Sequence, residues 1–268
     1  MIKQSFSFID AHIHLDLYEA DERDRLIQEA QAGDVAAVVA VSMNLASCET
    51  TSALAKQYST FIMPAYGYHP EQPLPSLQEQ QQLLDWMTKR HVAAERFAIG
   101  EVGLPYYTRQ EAAAAGEPFD EQLYIDLLEK FVKLASEWQR PIVLHAVYED
   151  AAKALQLLQQ YNVKHAHFHW FKGDEQTISE MIAAGYYVSI TPDVRYEEEI
   201  QQLVKRYPLE LLMVETDGPW PFEQIYAGTQ TVPSMVVDVV QQIANLKKLD
   251  VQEAANQLLK NTKQFYNM

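Results

Sequence analysis

Eight short apolar runs recur along the chain, at 6–10, 35–41, 61–67, 97–101, 142–145, 165–169, 186–190 and 211–215. Longer helix-like stretches separate them, including 19–32, 78–90, 121–139, 149–161 and 174–184. In the third of these, Phe131, Leu134, Ala135 and Trp138 have the spacing of a buried helical stripe. Gly33 and Gly185 follow two of the helices, where a left-handed C-terminal cap is expected. Such alternation fits a closed (β/α)8 barrel or an open doubly wound sheet. The polar residues decide between them. Nearly every run ends in a side chain able to bind a metal or catalyse, and barrel active sites gather at the C-terminal strand ends. The expected fold class is therefore α/β, a single TIM-type barrel. No Gly/Ser linker or low-complexity block divides residues 1–268, so one domain is expected.

The first run leads into Asp10-Ala11-His12-Ile13-His14, whose period of two puts both imidazoles on one face of an extended segment. Such a pair either shares an ion or sits hydrogen-bonded at a strand end. Glu101 closes the fourth run, where a buried carboxylate needs a cationic partner, either a side chain or a metal. His145 closes the fifth. The sixth carries His165, His167 and His169 on one alternation face, and only His169 is expected at the C-terminal end. The other two are expected to point into the interior or bond locally. Asp217 follows the eighth run and could cap a turn or take part in chemistry. Together these groups converge on one mouth if the barrel closes. Imidazole and carboxylate without thiolate suit Zn, Mn, Fe or Co, and admit Mg weakly.

Composition narrows the partners. The chain has 21 Lys+Arg against 37 Asp+Glu, a formal charge of −16, which disfavours an extended nucleic-acid surface. It leaves room for a small molecule or a nucleic-acid end in a local site. One cysteine, Cys48, forms no internal disulfide, and no apolar run reaches the length of a signal peptide or a membrane span. A cytoplasmic protein with no membrane association is expected.

The chain resembles the TatD-like metal-dependent hydrolases of the amidohydrolase superfamily. The resemblance lies in Ile9-Asp10-Ala11-His12-Ile13-His14, Gly67-Tyr68-His69-Pro70-Glu71, Ile99-Gly100-Glu101-Val102-Gly103-Leu104, Pro141-Ile142-Val143-Leu144-His145, His169-Trp170-Phe171-Lys172-Gly173 and Glu215-Thr216-Asp217-Gly218-Pro219. Asn261-Thr262 followed by Phe265 is similar to the family's closing helix. The resemblance implies a barrel with two divalent metal ions, of Zn, Mn, Mg, Fe or Co. It implies that His12, His14, Glu101 and Asp217 bind one ion, and that Glu101, His145 and His169 bind the other. With no lysine closing the fourth run, Glu101 is the expected bridge. Catalytic roles are implied for Asp217, which accepts a proton from the attacking water, and for His69, which lies by the leaving group rather than on a metal.

Two positions depart from the family pattern. Pro105 stands where Asp is common, and Val147 where Arg is common, which removes a bidentate donor suited to phosphate. The insert at 108–119 is expected as a surface loop in preference to a lid. By resemblance the leading expectation is deoxyribonuclease-like phosphoester hydrolysis at strand ends or on short single strands. Trp170, Tyr106, Tyr107 and Trp220 are placed to stack on a base or to pack under the rim. The alternatives are hydrolysis of an amide, lactone or carboxyl ester, and a non-catalytic binding protein on the same barrel.

Overall fold

The computed structural model describes residues 7–268; Phe6, expected in the first strand, lies outside them. Eight strands form one parallel sheet in sequence order: β1 (Phe8–Ile13), β2 (Val35–Ala40), β3 (Ile62–Tyr66), β4 (Ala98–Gly103), β5 (Ile142–His145), β6 (Ala166–Phe168), β7 (Tyr187–Ile190) and β8 (Leu212–Val214). Nearly all their residues are buried, as expected for parallel strands covered on both faces. Backbone bonds close the sheet between its first and last strands, from His14 N to the Gly218 carbonyl at 2.8 Å and from Asp217 N to the His12 carbonyl at 2.9 Å. Beneath them the Asp10 carboxylate accepts from Thr216 N at 3.0 Å and Thr216 Oγ1 at 2.5 Å. The architecture is a TIM-type α/β barrel.

The strands are clad by helices α1 (Ala20–Ala32), α2 (Leu45–Gln57), α3 (Leu77–Val92), α4 (Tyr106–Ala115), α5 (Glu121–Trp138), α6 (Glu149–Gln160), α7 (Glu175–Ala184), α8 (Glu198–Arg206), α9 (Val236–Lys247) and α10 (Val251–Tyr266). Outward strand residues such as Val38, Ile99, Leu144 and Val188 join the helix stripes, among them Phe131 and Ala135 of α5, in one apolar layer. Inward residues are small or flexible: Ala11, Val39, Met63, Ala65, Ala98, Val143 and Met213. Phe265 and Tyr266 at the end of α10 pack into this inner cluster. Cys48 is a buried filler whose thiol is pushed up to about 12 by burial. No helix among the described residues is long and apolar enough to cross a membrane.

Gly185 takes the expected left-handed conformation, φ 73°. Gly33 does not: at φ −94° it is extended, although its N–H still bonds the carbonyls of Glu29 and Ala30. The reason is local, since β2 begins at Val35 and the chain enters it directly.

Gly103 matters for the site. A Cβ there would lie 1.8 Å from the His145 carbonyl oxygen, at the point where β4 and β5 pair. Gly103→Ala is expected to cost roughly 3 kcal/mol or more, because backbone must move rather than a side-chain tip. Chemical denaturation reads this directly, and wild-type stability in the variant would refute it.

Candidate metal centre

Both strands that supply the innermost polar groups are irregular. Asp10 and Ile13 of β1 pair with Val38 and Ala40, and Ile99 and Val102 of β4 pair with Ile142 and Leu144. Each strand thus carries an extra residue, and such bulges re-aim side chains at barrel rims. His12 sits in the first bulge and Glu101 in the second. His145 ends β5, His169 follows β6, and Asp217 follows β8 in a left-handed turn at φ 52°.

The two oxygens of Glu101 face different groups. Oε2 lies 3.0 Å from His12 Nε2 and 3.3 Å from His14 Nε2. Asp217 Oδ1 completes that set, 3.3 Å from His12 Nε2 and 3.4 Å from His14 Nε2. On the other side, Oε1 lies 2.7 Å from His169 Nε2, 3.1 Å from His145 Nδ1 and 3.3 Å from His69 Nε2. All these side chains are buried. His12 Nε2, His14 Nε2, Glu101 Oε2 and Asp217 Oδ1 nevertheless make no hydrogen bond. Four buried polar atoms this close, aimed at a common point rather than at one another, fit a shared cation.

The electrostatics agree. Burial opposes the charge on Glu101, but His169, His69 and His12 outweigh it and hold the carboxyl well below its usual range. Burial likewise disfavours a charged His14, yet Asp217 and Glu101 raise it to about 10. His145 and His169 are also raised, chiefly by Glu101 against burial. His12 and His69 are lowered, with burial the largest cause. The carboxylates call for positive charge, and protons and metal ions compete to supply it.

Glu71, quoted only as the end of a motif, sets the state of two histidines. Its N–H donates to His69 Nδ1 at 3.2 Å, leaving the hydrogen of a neutral ring on Nε2, the atom that faces the site. Its carboxylate lies 3.2 Å from His145 Nε2, so that in the neutral ring the hydrogen sits on Nε2 and Nδ1 carries the lone pair toward the site. The same carboxylate accepts from Tyr107 N, Thr108 N and Thr108 Oγ1 at 2.9, 2.7 and 2.6 Å. Burial opposes its charge, but His145 and Thr108 hold it down near 2. Pro105 at the start of α4 offers no side-chain cap, so a carboxylate from another loop does the work. That missing cap was the available signal.

The insert therefore differs from the expected surface loop. Most of it is helix α4, whose first turn lines the mouth of the barrel. His165 differs too: it is exposed, because β6 begins only at Ala166. His167 is buried and bonds Tyr266 and Ser189, and burial holds its imidazole well below the usual range. Glu215, quoted only within a motif, is fully buried and accepts from Trp170 N at 2.7 Å. Above the histidines opens a cavity of about 480 Å³, walled by Tyr107, Trp170 and Trp220. Trp170 is pinned by its indole N–H to Asp193 at 2.7 Å. Of the remaining aromatics, Tyr106 packs against Tyr107 and Tyr148.

A family profile described as TatD related DNase matches residues 9–267. An uncharacterized metal-dependent hydrolase of Haemophilus influenzae is 38% identical over 260 residues, covering 97% of this chain and 99% of its own. The human protein named deoxyribonuclease TATDN3 is 29% identical, with 91% and 89% covered. The crystal structure of the TatD homologue YJJV from Escherichia coli K12 superposes with a TM-score of 0.81 at 24% identity, covering 97% of this chain and 98% of that one.

Proposed function

The chain belongs to the TatD-related DNase family, and from that premise we propose a metal-dependent hydrolase that cleaves phosphoesters at nucleic-acid ends or in short single strands. The observation that carries the metal reading is the division of Glu101, one oxygen toward His12, His14 and Asp217 and the other toward His145 and His169. His12, His14, Asp217 and Glu101 would hold one divalent ion, and Glu101, His145 and His169 a second. When bound, such ions acidify a water and polarise the scissile group. Asp217 accepts the proton of the attacking water, and His69, with its hydrogen on Nε2, orients the leaving oxygen by donating a hydrogen bond to it.

The walls support the substrate class. Tyr107 and Trp220 are partly exposed beside the pinned Trp170, as a stacking surface for one or two bases requires. Lys172 is the one Lys or Arg lining the cavity, and it makes no ion pair among the described residues. Its charge is felt by Asp193, but no hydrogen bond among the described residues ties the ammonium down, so it can turn to a phosphate. Arg109 cannot, since Glu121, Glu149 and Asp150 engage it. A second reading, hydrolysis of a carboxyl ester, lactone or amide, draws support from Val147, which presents an apolar side chain to the same cavity.

A panel of bis(p-nitrophenyl) phosphate, 3′-ended oligonucleotides and p-nitrophenyl carboxyl esters, each with Mn, Zn or Mg, separates the two. Phosphodiesters are the expected substrates. Lys172→Met should then raise KM on them roughly tenfold, the loss of one charge-assisted contact. Turnover confined to carboxyl esters would overturn the phosphoester reading.

A further inference from the structure

Beneath the metal-ligand layer, four buried side chains from separate elements form an unbroken line. Tyr266 Oη lies 2.8 Å from His167 Nδ1, His167 Nε2 lies 2.5 Å from Ser189 Oγ, and Ser189 Oγ lies 2.5 Å from Glu215 Oε2. None of the four is more than 1% exposed. Tyr266 belongs to α10 and packs among the apolar residues of the barrel interior, so the line connects the closing helix to the mouth.

Donor counting gives the line one direction. Tyr266 donates to His167 Nδ1, His167 Nε2–H donates to Ser189, and Ser189 donates to an ionised Glu215; every group is then satisfied with a neutral ring. The reverse order needs a proton on Glu215 and leaves the Tyr266 hydroxyl hydrogen without an acceptor, at a cost of about 1–3 kcal/mol for an unmade buried bond. Glu215 is thus a pure acceptor with both oxygens committed, Oε2 to Ser189 and Oε1 to Trp170 N at 2.7 Å. Trp170 directly follows His169 and stands at φ 36°, a strained conformation that persists only where its surroundings hold it. Glu215 Oε1 also lies 3.7 Å behind His169 Nδ1.

We propose that the Tyr266–His167–Ser189–Glu215 line is a positioning relay, which fixes Glu215 and through it the turn that aims His169 into the candidate metal centre. The inference rests on the metal reading above. It assigns no chemical step to these residues. They act on metal retention through His169, and they make the docking of α10 part of the site.

The test uses the full-length protein with Zn²⁺ as the probe. Chelator competition should show Ser189→Ala binding Zn²⁺ on the order of tenfold more weakly. That is the low end of the cost of losing a direct partner of a metal ligand, because Ser189 acts on His169 through Glu215 and the Trp170 turn. Ser189→Thr, which keeps the hydroxyl, should recover most of the affinity. Tyr266→Phe preserves the ring packing and should weaken Zn²⁺ binding in the same direction, so the test stands even if Ser189→Ala fails to fold. Nitrogen-15 shifts should show His167 neutral with its hydrogen on Nε2. Wild-type Zn²⁺ affinity in the folded variants, or a hydrogen on His167 Nδ1, overturns the relay alone. A wild-type protein that takes up no divalent ion overturns the metal reading, and the role given to the relay with it.

Discussion

Glu101→Ala is expected to purify as a folded barrel that holds neither ion and has lost at least about 10³-fold in turnover. Each oxygen of Glu101 serves a different set of imidazoles, so a single substitution removes a donor from both. Metal ions contribute several kcal/mol of transition-state stabilisation, and every 1.36 kcal/mol is a factor of ten in rate. The neighbouring carboxylates are engaged elsewhere: Asp217 already faces His12 and His14, and Glu215, although it lies close to His12 and His169, has its oxygens turned to Trp170 and Ser189. Elemental analysis beside kinetics reads both consequences. A variant retaining the wild-type metal content would refute the bridging role.

Chelation of the wild-type protein should lower its melting temperature by roughly 10 °C, with recovery on adding the metal back. An ion at about 1,000 times its Kd stabilises the folded state by about 4 kcal/mol, and each kcal/mol moves the transition of a protein near this size by about 2–4 °C. The pH dependence has a definite sign. Ligand histidines bind ions in their neutral form, and His14, His145 and His169 are all held up by carboxylates, so acidification favours protons over metal. The calorimetric gap between loaded and chelated protein should therefore shrink as pH falls. A melting temperature indifferent to chelator at neutral pH would sink the metal-dependent reading and favour the binding-protein alternative.

The strands were readable because parallel strands buried on both faces are continuous apolar runs, and their polar last residues announced a shared mouth. His12, His14, Glu101, His145, His169 and Asp217 are brought together from five strand ends. Besides α4, expected as a loop, three helices were harder to see. α2 turns Ser47, Thr51 and Ser52 inward and so shows no plain apolar stripe, whereas α9 has one, at Val236, Val239, Val240, Ile243 and Ala244, written in valines that favour strands. α8 also has one, at Ile200, Leu203 and Val204, but in a nine-residue helix crowded with charge. Glu71 and Glu215 escaped for a different reason. Their importance lies in what their oxygens accept from loops far away in the chain, which spacing does not record; for Glu71 the one trace is the uncapped Pro105 start of α4. His165 was misplaced by a strand that starts one residue later than its alternation suggested.

The seam between the first and last strands has a consequence for how the protein comes into being. Asp217 N bonds the His12 carbonyl, and Thr216 reaches Asp10 across 206 residues of sequence. Contacts so distant in sequence carry the largest loop-closure entropy and tend to form late. A chain emerging from the ribosome exposes His12 and His14 about 200 residues before Asp217 and cannot seat them until β8 has been made. No nascent fragment ending before that strand can hold the complete ligand set, so hydrolytic capacity should arrive only after β8 and the turn at Asp217 have been made.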